Sequence, residues 1–271
     1  MTAAPSAAAG PSPPSPAAFE PSPGAAPMPR MIAAQAATET RRLLRNGEQL
    51  LLTLIIPLLL LSAFSLEPLV NFGTASRVDF LTPGIIALAV LSTAFTSQAI
   101  ATGFERRYGV LKRLGATPLS RGGLIAAKTV TVIAVELLQA AVIAAAGAGL
   151  GWRPDATPLA IVAVPLLVLA GTAAFSGFAL LMAGTLRAEA TLAGANLVYL
   201  VLLGIGGMVF PLDRFPAAAR PVLAVLPPGA LSTGLRDVLA HAGGFPWGDL
   251  AILAAWAIAG ITLAARTFRW E

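Results

Sequence analysis

The sequence predicts an all-α polytopic membrane protein with about six transmembrane helices, an N-terminal amphipathic helix and a re-entrant outer segment before the last span. Three observations lead there. Charged residues make up 11% of the 271 residues and hydrophobic ones 56%, where an ordinary soluble domain carries about 25% charged residues. The apolar residues gather into runs long enough to cross a bilayer, which takes about 20 residues per helix. Lys and Arg collect between those runs, on one set of connections more than on the other, as in oriented membrane helices.

The chain opens with residues 1–30, a Pro-, Ala- and Ser-rich stretch too poor in large apolar side chains to offset the entropy of ordering, and it is expected to be a disordered cytoplasmic tail. It lacks the basic start and apolar core of a signal peptide. Residues 31–48 suit an amphipathic interfacial helix: at 100° per residue Ile32, Ala36 and Leu43 align while Arg41, Arg45 and Glu48 point away. Glu39 falls near the apolar side of that helix, and a plain cytosolic lead-in to the first span is the alternative.

The membrane domain is expected over 49–271. Its first span, about 49–66, carries Pro57, which removes a helical hydrogen bond. A polar loop with Glu67, Asn71, Arg77 and Asp79 follows. The second span, about 81–104, opens on Leu81-Thr82-Pro83-Gly84 and holds Thr93, Thr96, Ser97 and Gln98 in its second half. The third, about 124–150, starts near Lys128, expected to snorkel to the cytoplasmic headgroups, and places Glu136 and Gln139 towards its middle. Spans four and five run about 158–183 and 191–210. Residues 211–247 are too rich in proline and polar residues to cross in one helix, and the sixth span is about 248–265.

With the N-terminus inside, thirteen Lys and Arg residues fall on the inner side and five on the outer, so both termini are expected in the cytoplasm. The same count argues against nucleic acid as a partner, because the basic residues form no stripe on a polar domain.

Composition removes several chemistries. With no cysteine and one histidine, neither a Cys-His metal cage nor a disulfide framework can form. His241 is the only candidate for a histidine-based triad, and no Gly-x-Ser-x-Gly elbow accompanies it. Asp237, one turn before His241, makes an ordinary surface pair the expected reading. Gly122 to Thr129 imitates a phosphate-binding loop, but Ala127 stands where the second glycine belongs and no strand precedes it. No catalytic residue is expected on this chain.

The most charged segment runs from Phe104 through Glu105-Arg106-Arg107-Tyr108-Gly109 and Lys112-Arg113 to Pro118, Ser120 and Arg121. It resembles the cytoplasmic loop of ABC-2 type permeases, in which a Glu-Arg-Arg-x-Gly-x-Leu-x-Arg-Leu-x-x-x-Pro-x-Ser pattern joins the second and third spans. Leu81-Thr82-Pro83-Gly84 is similar to that family's Thr-Pro-Gly signature. The Pro-punctuated stretch from Phe210 to Leu239 resembles its outer re-entrant region; the long Pro-Ala tail departs from the pattern.

The resemblance implies a loop that couples to an ATP-binding subunit through Glu105, Arg106, Arg107, Gly109, Leu111, Arg113, Leu114 and Pro118. It also implies a second permease subunit, ATP and Mg on the partner ATPase, no cofactor on this chain, and residence in a bacterial-type cytoplasmic membrane. Read from the residues alone, the loop serves equally as an anchor for anionic lipid. The expected cargo is amphipathic: a drug, an antibiotic or a lipid-like molecule.

Four polar residues inside the spans are candidates for the substrate path: Gln98, Glu136, Gln139 and Asn196. Glu136 lies roughly 20 Å into its helix, near the bilayer centre, where exposure to lipid would cost the charged form at least about 2.5 kcal/mol. Gln98, Thr96 and Asn196 are its expected partners, and Gln139, on the same face, is expected to share one. Interhelical glue and a contact with cargo both remain open. Rival functions are a proton-coupled carrier using Glu136 and a subunit for polysaccharide or lipid assembly.

Overall fold

The computed structural model describes residues 24–45, 47–66, 76–154, 157–240 and 244–267. Their regular structure is helical throughout, as the long apolar runs require, since a helix satisfies its own backbone where no water is present. Among the described residues five helices are long and apolar enough to cross a membrane: Arg77–Arg107, Gly122–Gly149, Pro158–Thr185, Ala188–Ile205 and Trp247–Thr267. The sixth expected span is α2 (Gly47–Leu66), apolar from Thr53 to Leu66.

The second span forms the centre. It is one continuous helix made of α3 (Arg77–Val90), a π-helical turn (Leu91–Ser97) and α4 (Gln98–Arg107). Every residue from Leu81 to Val90 is buried, and a helix apolar on all sides belongs inside a bundle. Arg77 and Asp79, expected in a loop, instead form the first turn of α3. Ser76 caps it, its Oγ accepting from the Asp79 N–H at 3.4 Å, a helix-start signal that outweighs the polarity of the segment. Glu67 and Asn71 lie outside the described residues.

Around this centre stand α2, α6 (Arg121–Gly149), α7 (Pro158–Thr185) and α8 (Ala188–Ile205), while α11 (Trp247–Thr267) lies along α7. Small residues set that last pairing. A side-chain carbon on Gly177 would come within 2.8 Å of the Gly260 backbone, so the two backbones approach as closely as glycine permits.

Beyond α8 the chain breaks into α9 (Arg220–Ala224) and α10 (Pro227–Ala240). α10 packs on the first half of α7: Leu231 lies against Gly171, and Gly234 against Leu167. Arg236 locks this segment to the core. It is 8% exposed, and its guanidinium donates to the Phe80 carbonyl at 3.0 Å and the Met208 carbonyl at 2.8 Å, lying 3.7 Å from the centre of the Phe80 ring. Gly84 makes room, because any Cβ there would overlap both the Met208 carbonyl and that guanidinium. This is the physical content of the Thr-Pro-Gly sequence. Asp237 is exposed on α10, and His241 lies outside the described residues.

The amphipathic helix, α1 (Met28–Arg45), packs on α6. Ala36 is buried at the contact, and the Thr131 hydroxyl lies 3.3 Å from its carbonyl oxygen. Arg41, Arg42 and Arg45 are the basic residues of its last turns.

Candidate functional site: a charged hub beneath two chambers

α4 ends in Glu105, Arg106 and Arg107, and each of these neighbours reaches a different helix. Glu105 accepts from Lys128 of α6, Nζ to Oε2 at 2.6 Å. Lys128 also faces Glu39 of α1 at 3.8 Å, and the Gln35 amide donates to Glu39 at 2.7 Å. Arg106 donates to the Gly184 carbonyl at 2.6 Å and to the Leu186 carbonyl, two acceptors that the C-terminal end of α7 leaves open. Arg107 pairs with Glu189 in the first turn of α8.

Lys128 therefore does not snorkel to headgroups. It is buried at 8% exposure between two carboxylates, because an ammonium inside a bundle is held by paired counter-charges more readily than its stem can reach water. The same contact explains why Glu39 breaks the amphipathic pattern of α1: its face is turned towards Lys128.

A tight turn follows. Gly109 adopts φ +68°, a left-handed conformation that glycine takes without a Cβ penalty, and α5 (Val110–Gly115) starts immediately after it. Leu111 is buried at 3% exposure, Leu114 is half-buried, and Lys112, Arg113 and Pro118 are exposed. Leu111 thus anchors α5 to its own chain, and Leu114 stays partly open. The basic side of α5 is free.

Two chambers open above this hub. The larger, about 830 Å³, lies between α1, α4 and α6, with Arg41, Arg42 and Glu39 on one wall and Ser97 and Gln98 on the other. The smaller, about 500 Å³, is enclosed by α4, α5, α6, α7 and α11 and takes in Leu111, Thr172, Ser176 and Ile261. Gln98, Thr102 and Lys128 line both.

The polar residues expected in the spans pair off in a pattern that spacing does not reveal. Gln98 accepts from Ser176 of α7 at 2.7 Å. Gln139 accepts from Thr93 at 2.8 Å and donates to the Thr53 carbonyl of α2. Glu136 accepts from Thr172 of α7 at 2.6 Å. Glu136 and Gln139 thus share no partner: three helical steps leave them about 60° apart, enough to face different neighbours in a bundle.

Of the expected partners of Glu136, Gln98 is taken by Ser176, and the Thr96 hydroxyl is buried without a partner. Asn196 is exposed and donates to the Leu192 carbonyl of its own helix, so it takes no part in the cluster. A side chain facing away from the bundle satisfies itself on its own backbone.

Thr172 and Ser176 are the members of this polar cluster that sequence reasoning passes over. Their signal is present: two hydroxyls four residues apart in an otherwise apolar helix share one face. Among the described residues no group of three or more His, Cys, Asp or Glu side chains is placed to hold a metal ion.

Residues 32–239 match the family described as ABC-2 type transporter. No curated protein matches the chain significantly.

Proposed function

Because the chain belongs to the ABC-2 type transporter family, as a membrane permease subunit, we propose that it forms the transmembrane path of an ATP-binding cassette exporter. In this reading separate ATP-binding subunits, carrying ATP and Mg, power the movement of an amphipathic drug, antibiotic or lipid-like substrate across the cytoplasmic membrane. Two permease subunits assemble, and both termini are cytoplasmic.

The observation that carries the reading is the three-way junction at Glu105, Arg106 and Arg107. A docking segment must hand movement on to the helices that line the path. Here one turn of α4 is joined by charged contacts to α6, and through Lys128 to α1, to the end of α7 and to the start of α8. α5 hangs beneath it with Lys112 and Arg113 exposed, a basic surface suited to an acidic cleft on the ATPase. Glu105, Arg106 and Arg107 are then transmitters, and Lys112, Arg113, Leu114 and Pro118 the surface that docks. Leu111, buried and lining the smaller chamber, joins docking to the path.

The test is co-purification with an ATP-binding cassette subunit co-expressed from the same source. Wild type should retain it and stimulate its ATPase, while Lys112→Glu with Arg113→Glu should lose both and remain folded. Substrate movement driven by a proton gradient without ATP would instead identify a carrier.

A further inference from the structure

We propose that the smaller chamber is a binding site for a hydrophobic ammonium ion, recognised by the hydroxyls of Thr172, Ser176 and Thr102 with Glu136 as its counter-charge. This rests on the chain being a transport subunit and names the chemical class of its ligand.

The argument starts from where each hydroxyl sends its hydrogen. Thr172 donates to Glu136 Oε2 at 2.6 Å and Ser176 to Gln98 Oε1 at 2.7 Å. A hydroxyl has one hydrogen and two lone pairs, so both residues keep only acceptor capacity for the chamber they line. Donation to a carboxylate also polarises the Thr172 oxygen and strengthens it as an acceptor. The Thr102 hydroxyl, in the same wall, is buried and has no partner at all. Thr172 and Ser176 thus offer acceptors only, Thr102 can accept as well as donate, and an ammonium N–H is a donor that all three oxygens can take.

Charge agrees. Lys128 is the cationic side chain in this wall, and it already faces Glu105 at 2.6 Å and Glu39 at 3.8 Å. Glu136 adds a further carboxyl group, 3% exposed, whose Oε1 has no partner. Buried polar atoms are nearly always paired. Glu136 does not itself line the chamber, so it acts on a bound cation through the Thr172 oxygen to which it is joined and not by direct contact. The remaining wall, with Leu124, Ile133, Leu169 and Ile261, suits an aliphatic or aromatic body.

The full chain in phosphatidylcholine nanodiscs can be titrated with radiolabelled decylammonium, with empty nanodiscs subtracted. Decanol, decyl sulfate and decyltrimethylammonium separate chain length, charge sign and N–H donation. Saturable decylammonium binding is expected, with decanol, decyl sulfate and the quaternary ion each at least about tenfold weaker, the loss of a hydrogen bond to a charged group. Glu136→Gln and Thr172→Val should each weaken decylammonium by roughly ten- to a hundredfold. Monodisperse size-exclusion elution and wild-type helical circular dichroism show that the variants fold.

Equal binding of decylammonium and decanol, or of decylammonium and the quaternary ion, would overturn the proposal. So would a Glu136→Gln variant with wild-type decylammonium affinity. None of these arms requires the ATPase. If binding fails while the ATP-binding subunit still co-purifies, the site is wrong and the exporter reading stands. If decylammonium binds as expected while no ATPase associates, the site stands and the exporter reading is wrong.

Discussion

Gln139 lends its side-chain amide to the Thr53 carbonyl: Nε2 lies 3.4 Å from that oxygen, and Thr53 stands four residues before Pro57. In an α-helix that carbonyl would accept from the N–H of residue 57, and proline has none. A glutamine on α6 therefore supplies a donor to that carbonyl where Pro57 has none, one way in which a neighbour lets a proline be tolerated within an apolar helix.

Gln139→Leu should destabilise the protein by about 1 kcal/mol, the scale of hydrogen bonds between membrane helices. In a Pro57→Ala background the Thr53 carbonyl regains its helical donor, so the same change should cost less, with a coupling of about 0.5 kcal/mol or more. Unfolding in mixed micelles of the four variants of the cycle measures it. Strict additivity would show that the two residues do not serve the same carbonyl.

Lys128→Met removes the ammonium shared by Glu39 and Glu105. Breaking a buried pair from one side costs about 3 kcal/mol, and thermal unfolding of the purified chain should fall accordingly. Adding Glu105→Gln should recover part of the loss. A Lys128→Met protein as stable as wild type would show that the cluster is hydrated and weak.

The Arg107–Glu189 pair should behave differently, since its side chains are 50% and 61% exposed. Arg107→Glu should change stability by less than about 1 kcal/mol and yet reduce ATPase stimulation in the assembled transporter. Combining it with Glu189→Arg should restore stimulation. Failure of the swap to rescue, with both proteins folded, would remove this pair from the transmission path.

Gly84→Ala should be among the most damaging single changes. The added carbon meets a backbone carbonyl and a pinned guanidinium, neither of which can turn aside, and overpacking against fixed atoms costs roughly 3 kcal/mol or more. Loss of monodisperse protein on size-exclusion chromatography is the expected readout. Gly204→Ala, where nothing lies within 4 Å, is the control that should remain intact.

The purified chain by itself should neither bind nor hydrolyse ATP. The lysine of its phosphate-loop imitation is held by Glu105 and Glu39, and Ala127 is buried at 0% exposure inside α6. Nucleotide binding that disappears in Lys128→Ala would contradict this.

The run lengths of apolar residues are enough to read the helices, because crossing a bilayer leaves little freedom in length or in backbone conformation. The turn before α5 has its signal in Gly109, since a left-handed backbone favours glycine, whereas the use of the charges around it is not legible, because they suit anionic lipid equally. Partner choice is not legible. Glu136, Gln139 and Gln98 all read as buried polar residues, but which hydroxyl each one meets depends on how α6 and α7 are rotated about their axes. The π-helical turn at Leu91–Ser97 changes that rotation within a single span, and no residue in Leu-Ser-Thr-Ala-Phe-Thr-Ser announces it. Lys128 is misplaced by its sequence context because a lysine near a span end usually has water within reach, and here α1 and α4 cover it.

The glycine crossing of α7 and α11 has a mechanical consequence. Two backbones already in contact at Gly177 and Gly260 leave little slack for sliding, so the two helices form one stiff plank. That plank carries Thr172, Ser176 and Ile261, which form one side of the smaller chamber. α6 touches α7 only sparsely, and the Glu136–Thr172 hydrogen bond is the stitch across that seam. In the proposed exporter a pull on the hub would open this seam first, with the Glu136–Thr172 hydrogen bond as its latch.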